Sequence, residues 1–204
     1  MKLLPVNYHT QRNNTKFKIK PYFPIRKYPS TSCFTTSLNM ILSYCGIKKR
    51  DEDLLNDLES KWFKRIFKRT YGSINWMMNF FYRNTLRYLW KAEMLLGNHY
   101  LKKVSKRLKF LGFNTWNTFK QRVISEIDNN RPVIVGLKRK IDGKKFGHII
   151  VIIGYNEESF IIHDPYGNGM TLYKETYGYC VIYPYSYLKT ALHLDRMLVL
   201  EEVK

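Results

Sequence analysis

Acidic residues are scarce in this chain. Sixteen Asp and Glu stand against 35 Lys and Arg, giving a net charge of +19 and a pI near 9.8. That balance excludes a neutral surface and implies anionic company, whether nucleic acid, an acidic membrane or an anionic wall polymer, without choosing among them. Cysteine is scarcer still. Three is an odd number, which argues against a disulfide framework. There is no C-x-x-C and no H-E-x-x-H, and the five histidines are scattered, so no metal site is expected. Without a G-x-G-x-x-G or Walker-type loop, no nucleotide cofactor is expected either. No window approaches the ~18 uninterrupted apolar residues of a membrane span. The opening MKLLPVNYHTQRNN breaks at Pro5 and turns polar, so it does not read as a secretory signal. The expectation is a soluble protein made in the reducing cytoplasm, with release by another route or a place in a virion left open.

Apolar residues, by contrast, are plentiful. They make up 45% of the 204 positions, with 16 Tyr, 12 Phe and 4 Trp, enough for one domain with a substantial core. Pro5, Pro21, Pro24 and Pro29 keep residues 1–29 extended and irregular. In STSCFTTSLNMILSYCG (30–46), Leu38, Ile41, Leu42 and Cys45 recur at helical steps. Ser30, Thr31 and Ser32 are N-cap types and Gly46 is a natural stop, which predicts a helix from about 35 to 44. Next comes DEDLLNDLESKWFKRIFKR, with one apolar face and a basic stripe at Lys61, Lys64, Arg65, Lys68 and Arg69. Further helices are expected over 74–95, near 100–111, and in WNTFKQRVISEIDNN, the last clear one.

The character then changes. PVIVGL (132–137), HIIVIIGY (148–155), SFIIHD (159–164), TLY (171–173), YCVIY (179–183) and MLVLEEV (197–203) read as short strands. Helices first and strands after predict an α+β fold, an antiparallel sheet packed against the early helix. The expected organisation is a single domain over 1–204. Within it, 1–29 form an extended arm, 30–46 the cysteine helix, and 47–115 a basic helical insertion. Residues 116–204 supply a further helix and the sheet.

Cys33 sits where free backbone N–H groups and the positive end of a helix dipole meet the side chain, a setting that favours a nucleophilic thiolate. A small residue packed at a helix start is the plainer alternative. Cys45 on an apolar helix face and Cys180 inside an apolar run both read as core. A thiolate needs a base, and the base needs a group to hold its ring. His9 lies in the arm, His99 in the basic region and His193 between two leucines, whereas His148 opens a strand at a loop junction. His163 precedes Asp164 at a strand end. Antiparallel pairing of 148–155 with 159–164 through a turn at 156–158 would set His148 across from the neighbourhood of Asp164. The other reading of Asp164, before Pro165, is an Asx-turn residue.

Cys33, His148 and Asp164 stand in the chain order of papain-type thiol hydrolases. The chain resembles the cysteine peptidases that process double-glycine bacteriocin leaders, and their stand-alone phage and bacterial relatives within the papain superfamily. NYHTQRNN is similar to the family's N-terminal arm and SCFTTSLNMILSYCG to its cysteine helix. NNRPVIVGL and GHIIVIIGY are similar to the strands around the histidine, and FIIHDPYGNG to the Asp–Pro turn. The resemblance implies a papain-like fold with Cys33 as nucleophile, His148 as general base and acid, and Asp164 orienting the imidazole. It also implies an oxyanion donor in Gln11, paired with the backbone N–H of Cys33. Two departures stand out: Gln11 lies 22 positions before Cys33, and Phe34 replaces the usual following glycine.

The expected function is hydrolysis of an amide bond through a Cys33 thioacyl intermediate, on a peptide, a protein or the stem peptides of peptidoglycan. The alternative is a catalytically impaired binding module whose basic helices, through Lys61, Lys64, Arg65, Lys68 and Arg69, engage nucleic acid, an anionic membrane or wall polymer.

Overall fold

Leu38, Met40, Ile41 and Leu42 share a helix that finds apolar cover on the sheet and on neighbouring helical segments. In the computed structural model they form part of α1 (Cys33–Tyr44), and all four are fully buried. Each such side chain contributes about 1.5–3 kcal/mol of burial free energy. The structure describes residues 1–13, 32–57, 90–91, 93–141 and 144–203. The basic stripe at Lys61, Lys64, Arg65, Lys68 and Arg69 lies outside the described residues, as do Ser30 and Thr31 and most of the 74–95 helix.

Ser32 takes the N-cap position of α1 without capping through its side chain. At the other end Gly46, at φ +79°, supplies the left-handed residue that ends many helices. The second helix is α2 (Asp51–Asp57), and a further helical stretch covers 93–101. α3 (Trp116–Asp128) begins where Thr115 accepts the amide of Thr118 at 3.2 Å. It stops at Asn129, followed by left-handed Asn130 at φ 57°.

Among the described residues, seven antiparallel strands make one sheet. They are β1 (Lys2–Leu3), β2 (Lys106–Leu111), β3 (Val133–Ile141), β4 (Lys144–Tyr155), β5 (Ser159–His163), β6 (Val181–Pro184) and β7 (Leu192–Glu202). Their order is β2-β7-β3-β4-β5-β6, with β1 pairing β4. Both α1 and α3 pack on β4. Residues 149–153 of that strand are buried without a break. Because successive side chains alternate between faces, β4 is covered on both sides. This is an α+β fold in which helices pack on an antiparallel sheet.

Four local expectations need correction. Residues 106–111 are not helical: the helix ends at 101, a 3-10 turn (Lys102–Val104) and left-handed Ser105 follow, and β2 begins. The cause is long-range pairing with β7, where Glu201 and Glu202 receive Arg107, Lys109 and Lys106 across the strands. Asn98 closes the outer edge, donating to the carbonyl of Leu108 at 3.2 Å and accepting its amide at 2.5 Å. The 47–115 segment therefore supplies a strand to the main sheet. TLY (171–173) is no strand but the end of a 3-10 turn (Gly169–Thr171) followed by two left-handed residues, Leu172 and Tyr173. Cys180 stands in a left-handed turn before β6, partly buried, as is Cys45. Finally, α3 is not the last helix, because α4 (Tyr185–Ala191) follows Pro184, which occupies its N-cap.

Candidate active site

Cys33, Gln11 and Asp164 stand at or just past the ends of elements, whereas His148 lies within β4. Cys33 is the first residue of α1 and is partly exposed. His148 lies on β4 opposite Leu137 of β3, and the residues that follow it on that strand, 149–153, fill the core. Asp164 follows the last residue of β5 directly. β4 and β5 pair antiparallel with Val151 opposite His163, through a turn in which Asn156 accepts the amides of Glu158 and Ser159.

That register brings the imidazole and the carboxylate together. His148 Nε2 donates to Asp164 Oδ1 at 2.6 Å, with both side chains buried. The Cys33 side chain hydrogen-bonds the same imidazole. Since Nε2 is committed to Asp164, Nδ1 is the nitrogen left for sulfur. Burial works against a charged ring here. The Asp164 carboxylate beside it and the hydrogen bonds to Asp164 and Cys33 outweigh that penalty, and His148 is pushed up to about 9. Tyr166 and Tyr173 stand edge-on to the imidazole, with ring centroids 6.3 and 5.9 Å away, and shelter the pair from water.

Asp164 is completely buried and held on both oxygens. Oδ1 also accepts the amide of Tyr166 at 2.9 Å, which is an Asx turn, so the two sequence readings of this residue hold together. Oδ2 accepts the hydroxyl of Tyr183 at 2.8 Å and, at the 3.5 Å limit, that of Tyr173. The sequence reading did not find these tyrosines. Nothing local separates Tyr183 from the other 15 tyrosines, since its hydroxyl meets Asp164 only once β5 and β6 have paired.

Gln11 is fully buried in a 3-10 turn (Gln11–Asn13), and its backbone amide donates to the carbonyl of Pro165 at 2.9 Å. The arm around it is tied to the Asp164 turn along its length. Tyr8 donates to the carbonyl of Asp164 and accepts the amide of Gly178, at 3.1 and 3.0 Å. Thr10 donates to the carbonyl of Pro165 at 3.2 Å and Arg12 to that of Tyr166 at 2.5 Å. Gln11 thus stands beside the turn that holds His148, although 22 positions separate it from Cys33 in sequence.

His163 is occupied elsewhere. Its Nε2 donates to the carbonyl of Val6 at 2.8 Å while Nδ1 accepts the amide of Cys180 at 3.2 Å, which specifies a neutral ring. Burial lowers its pKa in the same sense. Phe34 turns into the core, edge-on to Trp90 with ring centroids 4.8 Å apart. Burial raises the thiols of Cys45 and Cys180. Among the described residues, no helix is long and apolar enough to cross a membrane.

The sequence profile of the Peptidase_C39-like family matches residues 3–191. The structure is similar to a Bacillus anthracis protein named as a C39-like peptidase, with a TM-score of 0.58 and 16% identity over 100% of both chains. It also aligns with the peptidase domain of Streptococcus ComA, a bifunctional ABC transporter, at a TM-score of 0.46 and 13% identity. That match covers 86% of this chain and 93% of the other. No curated protein sequence matches.

Proposed function

The chain belongs to the Peptidase_C39-like family, and from that premise we propose that it hydrolyses a peptide amide bond through Cys33. The observation that carries this reading is the buried imidazole of His148, bonded to Asp164 through Nε2 at 2.6 Å with the Cys33 side chain as its further partner. Sγ of Cys33 attacks the carbonyl carbon, and the oxyanion is met by the backbone N–H of Cys33 and the side-chain amide of Gln11. As the C–N bond breaks, His148 delivers its proton to the leaving amine, and a thioester remains on Cys33. Water then attacks the thioester while His148 takes its proton. The acid product leaves and the thiol–imidazole pair is restored. Asp164 holds the ring and balances its charge throughout.

The substrate is a peptide segment, in a protein or in the stem peptides of a bacterial wall. The wall option is motivated by the net charge of +19, which favours approach to anionic polymers.

The test is brief alkylation with iodoacetamide at pH 6, read by intact mass, of wild type, Cys33→Ala and His148→Ala. Fast single labelling of wild type that is lost in the first variant and slowed in the second is the expected result. Labelling of Cys33 no faster than that of Cys45 and Cys180 would overturn the assignment.

A further inference from the structure

Tyr183 carries a hydroxyl whose bonding direction is set by its neighbours. The amide of Gly169 points at the phenol oxygen from 2.7 Å, and an amide can only donate, so the oxygen accepts there. Its single proton is then free for Asp164 Oδ2 at 2.8 Å, and an ionised carboxylate can only accept. Tyr183 is completely buried and among the largest side chains in the core. Burial and the neighbouring Asp164 charge keep the phenol protonated far above any working pH. Tyr173 reaches the same oxygen only at 3.5 Å, so Tyr183 is its principal donor.

The opposite oxygen already serves His148 and the amide of Tyr166, at 2.6 and 2.9 Å. A carboxylate gripped on both oxygens cannot rotate about its Cβ–Cγ bond without losing a buried hydrogen bond. We propose that Tyr183 is a positioning residue: through Asp164 Oδ2 it fixes the carboxylate plane, and so the direction in which His148 presents its other nitrogen to Cys33. The inference rests on reading Cys33, His148 and Asp164 as a hydrolase site. It extends that site to β6 and to the Gly169 turn, two elements that carry no group of the reaction itself.

Two variants remove the contact in different ways. Tyr183→Phe deletes the hydroxyl and keeps the ring. Gly169→Ala keeps the tyrosine but sets a methyl 2.6 Å from its oxygen and 3.0 Å from that of Tyr173, which displaces the hydroxyl; Tyr173→Phe, measured beside it, separates the share of Tyr173. The readout is the His148 titration midpoint, from imidazole nitrogen resonances and from the pH dependence of iodoacetamide alkylation at Cys33. With the carboxylate loosened, burial of the ring regains weight, and the midpoint falls by about one unit or more in either variant. A control, Tyr185→Phe, removes a phenol hydroxyl bonded instead to the carbonyl of Asn156 at 2.8 Å and leaves the midpoint at its wild-type value.

A merely structural Tyr183 would lower the unfolding temperature and leave the midpoint in place, which would overturn the proposal. If Tyr183→Phe does not fold, Gly169→Ala decides on the same criterion. Slow alkylation of Cys33 in the wild type would instead overturn the hydrolase reading. The nitrogen resonances would still report whether Tyr183 sets the imidazole's environment.

Discussion

The His148–Asp164 pair predicts a specific dependence of stability on pH. His148 has an ordinary value of 6.5 and is pushed up to about 9 in the folded chain. Each unit corresponds to about 1.36 kcal/mol, so the folded state prefers the protonated ring by about 3 kcal/mol. Because the folded value is the higher one, that stability is fully present below pH 6.5 and is lost as pH rises through about 9. Urea unfolding of wild type at pH 6 and pH 9 should therefore differ by roughly 3 kcal/mol from this site. His148→Gln measured at the same two values supplies the correction for every other titrating group, and the difference between the two proteins isolates the pair. In Asp164→Asn the attraction that opposes burial is gone, so the imidazole titrates below 6.5 and the excess dependence vanishes. An excess of less than about 1 kcal/mol, or a wild-type midpoint at or below 6.5, would refute the reasoning.

Two further outcomes follow from the neighbouring residues. Gln11→Ala should lose ~10²–10³ in peptide turnover while iodoacetamide still labels Cys33 at the wild-type rate, because alkylation develops no oxyanion. Equal losses in both assays would mean that Gln11 acts on the arm's structure. Phe34→Ala empties the space against Trp90 and should cost about 3–5 kcal/mol in urea unfolding. A cost below about 1 kcal/mol would show that the residue after the cysteine is not anchored in the core.

Much of the site was legible because its signals are local. The three- and four-residue spacing of Leu38, Ile41 and Leu42 marked α1, and the run from His148 to Tyr155 marked the last two-thirds of β4. The pairing of β4 with β5 could be drawn from a short polar turn, and it brought His148 and Asp164 to the right neighbourhood. Residues 106–111 failed for the opposite reason. Their conformation is decided by β7, about ninety positions further on, and by Asn98 at the edge, while their own composition suits a basic helix equally well. β3 and β4 run longer than their apolar cores because pairing continues through the polar residues beyond them. The part played by Tyr183 was hidden likewise. A tyrosine in a strand reads as core, and core it is, yet its one polar atom is committed to a carboxylate 19 positions away.

The stitching of the first thirteen residues to the Asp164 turn also sets a timetable. Gln11 and Cys33 leave the ribosome before the other two, with His148 following Cys33 by 115 positions and Asp164 by 131. At translation rates of roughly 5–20 residues per second, the thiol waits on the order of 10 s before its base exists. The arm has no turn to fasten to until Pro165, Tyr166 and Gly178 are made. A polypeptide arrested before β5 therefore carries Cys33 and the arm without the carboxylate and the turn that complete the proposed site.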